Sequence, residues 1–152
     1  MVRMYGSNPV RPPSGTHPRV GRVLVVDDDP RALAEMVAVL SQDHQVVGTL
    51  DPFEAVRRLA AGERFDVLLY DLMMRGMAGA EVFARVCAIS TRQASRIVFL
   101  GTGTMPLSIS QFLSRVEKPC LQRPIEPHVL RAEIAKRVAE AERMGPGSVK
   151  TG

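Results

Sequence analysis

Two short apolar runs, each ending in aspartate, limit this 152-residue chain more than any other feature. Arg22-Val23-Leu24-Val25-Val26 leads into Asp27-Asp28-Asp29, and Asp66-Val67-Leu68-Leu69-Tyr70 leads into Asp71. Continuous apolar runs of this length, without polar alternation, mark strands covered on both faces, as in parallel sheets. The 43 residues from Asp28 to Asp71 make about one βαβαβ passage. Such a passage returns its acids to the same carboxyl edge, where open α/β sheets put their ligand sites. Converging carboxylates raise one another's energy unless a cation lies among them. Asp27, Asp28 and Asp71 therefore read as an oxygen-rich pocket for Mg²⁺.

The rest of the chain alternates strand and helix patterns. After the first run, Pro30 suits the first turn of a helix, and Leu33, Met36, Val37 and Leu40 follow at helical spacing. Residues 45–48 read as a strand. Asp51-Pro52 is a cap followed by an N1 proline, opening a helix that Gly62 ends. The third strand is placed at 65–70, a helix at 80–88, a fourth strand at 96–100 and a helix at 107–115. A short strand near 120–122 and a last helix from about Glu126-Pro127 complete the pattern. Five βα units joined by short loops predict a doubly wound parallel sheet with helices on both faces.

Proline, glycine and serine crowd residues 1–20, and the end from Gly145 is similar. Both segments are expected to be disordered, leaving 21–144 as one folded domain. The net charge of +4 invites a nucleic-acid reading. Its placement argues against one: Arg3, Arg11, Arg19 and Arg22 all precede the first acid, so residues 23–152 balance. With no tryptophan and no basic stripe carrying aromatics, direct DNA binding is not expected. No run approaches the ~20 apolar residues of a membrane span, and no signal peptide is visible, so a cytoplasmic location and no membrane insertion are expected. Cys87 and Cys120 match no metal spacing and read as buried free thiols. His17, His44 and His128 read as surface residues, and Met73, Met74 and Met77 as packing around the acid pocket.

Val25-Val26-Asp27-Asp28-Asp29-Pro30, the stretch Leu68 to Gly79 and Cys120-Leu121-Gln122-Arg123-Pro124-Ile125 together resemble the receiver domain of two-component response regulators. The likeness spans about residues 22–142. It implies a flavodoxin-like fold with five strands in the order 2-1-3-4-5 and five helices. It also implies that Asp71 accepts a phosphoryl group from a histidine kinase or histidine phosphotransfer protein. Asp28 and Asp71 would bind Mg²⁺ directly, Asp27 through water, and the Met73 carbonyl would add an oxygen. A cis Arg123–Pro124 bond is implied as well. Receivers of this kind bind a downstream protein target, often through the fourth helix, fifth strand and fifth helix.

Several positions depart from that family's pattern. Gly101 stands where receivers carry serine or threonine, so Thr102 is the candidate substitute hydroxyl. Arg123 replaces the phosphate-contacting lysine with a bulkier planar cation. Cys120 replaces the switch aromatic, and Arg75 a common proline. The leading expectation is a stand-alone receiver acting through protein–protein contact. The alternative is a pseudo-receiver that binds partners without phosphorylation. A remote alternative is a phosphatase of the haloacid-dehalogenase type, since Asp27 and Asp29 have its Asp-x-Asp spacing; Arg31, where that family needs threonine, weighs against it.

Overall fold

The computed structural model describes residues 19–144. The expected leader and tail lie outside the described residues, apart from Arg19 and Val20. Arg19 is tied down: its Nη1 pairs with Asp66 Oδ1 at 3.1 Å.

In chain order the elements are β1 (Arg22–Val26), α1 (Pro30–Leu40), β2 (Gln45–Thr49), α2 (Pro52–Ala60), β3 (Val67–Asp71) and α3 (Gly79–Ile89). They continue as α4 (Thr91–Ala94), β4 (Ile97–Gly101), α5 (Leu107–Val116), β5 (Cys120–Gln122) and α6 (Pro127–Met144). The five strands form one parallel sheet in the order β2-β1-β3-β4-β5, as expected. Among the described residues there are six helices rather than five. The additional one, α4, is a single turn whose Ser90 cap accepts from the Gln93 N–H at 3.1 Å.

Side chains alternate across a strand, and here each central strand feeds two cores. Val23, Val25, Val67, Leu69, Val98 and Leu100 face one side and pack with Met36, Leu40, Ile134 and Val138 of α1 and α6. Leu24, Val26, Leu68, Tyr70, Ile97 and Phe99 face the other, against Leu59, Val82, Val86 and Phe112 of α2, α3 and α5. Burying each large apolar side chain contributes about 2 kcal/mol, and nearly all of these are fully enclosed. This explains the unbroken apolar runs: neither face of β1, β3 or β4 meets water.

The caps expected from sequence are present. Asp29 accepts from the Arg31 N–H at 3.1 Å and Asp51 from the Phe53 N–H at 2.9 Å, each with proline in the first helical turn. The Arg123–Pro124 bond is cis.

Two burial expectations need correction. His44 is buried at 8% exposure rather than on the surface, because its Nδ1 accepts the Gly21 N–H at 3.0 Å beneath β1. His128 is exposed, and His17 lies outside the described residues. Cys87 and Cys120 are half-buried, not enclosed. Both sit on the rim of the α2–α5 core rather than inside it.

Gln93, unremarked in the sequence, is buried at 1%. Its Nε2 donates to the Phe65 carbonyl and its Oε1 accepts the Phe65 N–H, both at 2.9 Å. The side-chain amide thus stands in for a neighbouring strand just ahead of β3.

Candidate metal centre

Two strands deliver the three acids. Asp27 follows β1 directly, Asp28 comes next as the chain turns toward the Asp29 cap, and Asp71 is the last residue of β3. Because β1 and β3 are adjacent and parallel, with Val26 opposite Tyr70, both chains leave the sheet at the same edge. One carboxylate oxygen from each of Asp27, Asp28 and Asp71 lies within 4.8 Å of the others. The convergence expected from spacing is therefore present.

Each acid has its own partners. Asp27 is 1% exposed; its Oδ1 accepts the Asp29 N–H at 2.9 Å and its Oδ2 the Arg123 Nη2 at 2.5 Å. Asp28 Oδ2 accepts two bonds from one residue, the Arg75 N–H and Nε–H, each at 3.2 Å. These Arg75 contacts, the backbone one foremost, hold the Asp28 carboxyl below its ordinary value. Asp71 Oδ1 accepts the Met73 N–H at 3.0 Å. Burial, followed by the nearby charges of Asp27 and Asp28, pushes the Asp71 carboxyl up; the Met73 bond and Arg123 counter this in part.

The donor set fits a hard divalent cation. All three side chains offer oxygen, and an octahedral Mg²⁺ spans about 4.2 Å between opposite ligands. The 4.8 Å spread is within a small side-chain adjustment of that span. Asp28 and Asp71 would serve as direct ligands and Asp27 through water, and the ion would offset their mutual repulsion.

The other candidate residues are arranged as follows. Arg123 follows β5, anchored by its N–H to the Gly101 carbonyl at 2.8 Å, and reaches Asp27. Thr102 is half-buried, and its hydroxyl donates to the Thr104 carbonyl at 2.9 Å, within its own loop. Met73 is 45% exposed at the rim, whereas Met74 and Met77 are buried beneath it. Tyr70, next to Asp71 in β3, is buried and donates to the Met77 carbonyl at 2.6 Å.

Gly101 is enclosed by sulfur. A Cβ added there would lie 2.8 Å from Met105 Sδ and 3.1 Å from Cys120 Sγ. The space that a serine or threonine side chain would need is thus filled by two neighbours. No sequence signal marks Met105 or the Arg75–Asp28 contact; nothing short of the folded loops brings these pairs together.

The family model described as response regulator receiver domain matches residues 23–135. Among curated relatives, the DNA-binding response regulator MtrA of Mycolicibacterium smegmatis is 32% identical over 127 residues, covering 80% of this chain and 52% of that protein. The heme response regulator HssR of Staphylococcus aureus is 39% identical over 59 residues, covering 39% of this chain and 26% of that protein. The chain thus spans about half of MtrA and about a quarter of HssR. A CheY-like receiver domain protein from Methanospirillum hungatei matches in structure with a TM-score of 0.73 at 22% identity, covering 84% of this chain and all of that one. The receiver domain of a modulated diguanylate cyclase from Desulfovibrio desulfuricans matches at 0.68 and 27% identity, covering 82% and 98%. Sheet order, acid placement and family match agree, and this chain belongs to the response regulator receiver domain family.

Proposed function

We propose that Asp71 accepts a phosphoryl group from a histidine kinase or histidine phosphotransfer protein, and that the chain signals by binding a downstream protein. The observation that carries this reading is the convergence of Asp27, Asp28 and Asp71 at the carboxyl edge. Mg²⁺ is the cofactor that fits, with the Met73 carbonyl as a further oxygen ligand. When bound, it would supply positive charge to the phosphoryl oxygens.

The chain's own groups do the remainder. An Asp71 oxygen attacks phosphorus as the donor's P–N bond breaks and its electron pair returns to the imidazole. The Met73 N–H orients the attacking carboxylate. Arg123 brings a fixed positive charge from β5 and is held in the site by buried Asp27. Thr102 would serve as the substitute hydroxyl only by giving up its bond to Thr104. A largely apolar groove of about 500 Å³ lies between α1 and the segment Arg123–Leu130, with Arg123, the partner of Asp27, on its wall; it offers a donor protein a place to dock.

The test is incubation with acetyl phosphate and Mg²⁺, read by intact mass. Wild type is expected to gain about 80 Da, the mass of one phosphoryl group, and Asp71→Asn to gain nothing. An unlabelled wild type that also behaves like Asp71→Asn in every partner assay removes the phosphorelay reading.

One observation favours the pseudo-receiver alternative: Met105 and Cys120 occupy the space of the missing hydroxyl side chain. That chain would bind partners constitutively, and Mg²⁺ would leave its melting temperature unchanged. Under either reading we place the described domain in the cytoplasm and expect it to make no direct DNA contact of its own. MtrA is described as DNA-binding, and this chain aligns with about half of it. No helix among the described residues is long and apolar enough to cross a membrane.

A further inference from the structure

We propose that Arg75 is a resident cation of the acid site, which a divalent ion must displace from Asp28. This rests on the reading of the three acids as a Mg²⁺ site and adds a regulatory element to it.

Two observations carry the inference. Arg75 engages a single oxygen, Asp28 Oδ2, with both its N–H and its Nε–H at 3.2 Å. That carboxylate belongs to the trio whose oxygens lie within 4.8 Å of one another. A metal ion and a guanidinium would therefore compete for the same group, and they repel each other at that range.

The two arginines of the site differ in how firmly they are held. Arg123 is 28% exposed and bonds an acid that is 1% exposed, so its pairing is shielded from water. Arg75 is 89% exposed and bonds an acid that is 24% exposed. Exposed pairs of this kind are weak and screened by salt. Arg75 is thus the arginine that yields to the ion. While it stays in place, the site is partly neutralised and divalent affinity is reduced; once displaced, it leaves Asp28 open as a ligand. The proline that many receivers carry here offers neither an N–H nor a cation, so this competition comes from the arginine.

The experiment is isothermal titration of the full chain with MgCl₂ at fixed ionic strength. It compares wild type, Arg75→Ala, Arg75→Lys and Arg31→Ala. Arg31 is an exposed arginine on the first turn of α1 and controls for net charge. Arg75→Ala is expected to bind Mg²⁺ about threefold tighter than wild type, with Arg75→Lys between them and Arg31→Ala close to wild type. In ¹⁵N NMR of wild type, the Arg75 Nε–H resonance is expected to shift as Mg²⁺ saturates. Equal affinities for wild type and Arg75→Ala, equal gains in Arg75→Ala and Arg31→Ala, or an unmoved Nε–H at saturation would each overturn the displacement and leave the metal site standing. If no variant takes up Mg²⁺, the metal reading fails and the displacement fails with it.

Discussion

Restoring the missing hydroxyl by Gly101→Ser should destabilise the protein, and the cost follows from what surrounds that residue. The new Cβ would sit 2.8 Å from Met105 Sδ and 3.1 Å from Cys120 Sγ, well inside the ~3.5–4.0 Å optimum for heavy-atom contact. Cys120 is a strand residue paired opposite Phe99 and has little room to retreat. Met105 is half-buried on a loop, and its thioether can swing away after losing some packing. Overpacking of this kind costs about 1–3 kcal/mol, against which the reduced freedom of the unfolded chain returns about 0.5 kcal/mol. A net loss of about 1 kcal/mol is expected, or roughly 3–5 °C in melting temperature for a domain of this size. Met105→Ala removes the shorter contact, so the double variant should recover part of the loss, with a coupling of about 0.5 kcal/mol. Urea unfolding followed by circular dichroism measures all four corners of the cycle. A Gly101→Ser protein as stable as wild type, or zero coupling to Met105, would refute the idea that sulfur closes this position.

Two predictions concern pH. Burial raises the folded-state Asp71 carboxyl above its ordinary 3.8, so its charge costs stability above that raised value, and the cost fades as pH falls toward 3.8. Asp71→Asn, which keeps an oxygen for the Met73 N–H, should melt higher than wild type at pH 7 and lose that advantage near pH 3.5; an unchanged melting temperature at pH 7 refutes this. His44 titrates the opposite way: burial lowers its folded-state value below the ordinary 6.5, so stability is intact at higher pH and declines as pH falls through 6.5. Protonation of Nδ1 also breaks the bond from Gly21. Denaturant titrations at pH 7.5 and 5.5 should show wild type losing more stability than His44→Asn, and parallel losses would exclude the histidine.

The sheet was legible because its signal is local and redundant. Val23–Val26 and Val67–Tyr70 are apolar on both faces, and an aspartate closes each run. The right-handed crossover rule then leaves few orders in which such strands can assemble. The acid trio was legible for the same reason, since strand ends in a parallel sheet share an edge. Helix α4 was not, because a single turn carries no periodicity. His44 looked like a surface residue because the N–H that holds it belongs to Gly21, 23 positions away. Arg75 and Gly101 stood out as departures from the family, yet what replaces the usual contacts depends on loop paths between β3 and α3 and between β4 and α5. Those paths are set by tertiary packing, which leaves no periodic trace in the chain.

The Gln93 amide gives one joint of the molecule an unusual chemical vulnerability. As a neutral group bonded to both polar atoms of Phe65, it is indifferent to salt and to acid, unlike the ion pairs around Asp66. Hydrolysis of that amide to glutamate would put an oxygen where the donor to the Phe65 carbonyl now stands. Attraction would become repulsion in a site closed to water, and the turn holding α4 beside the start of β3 would come apart there first.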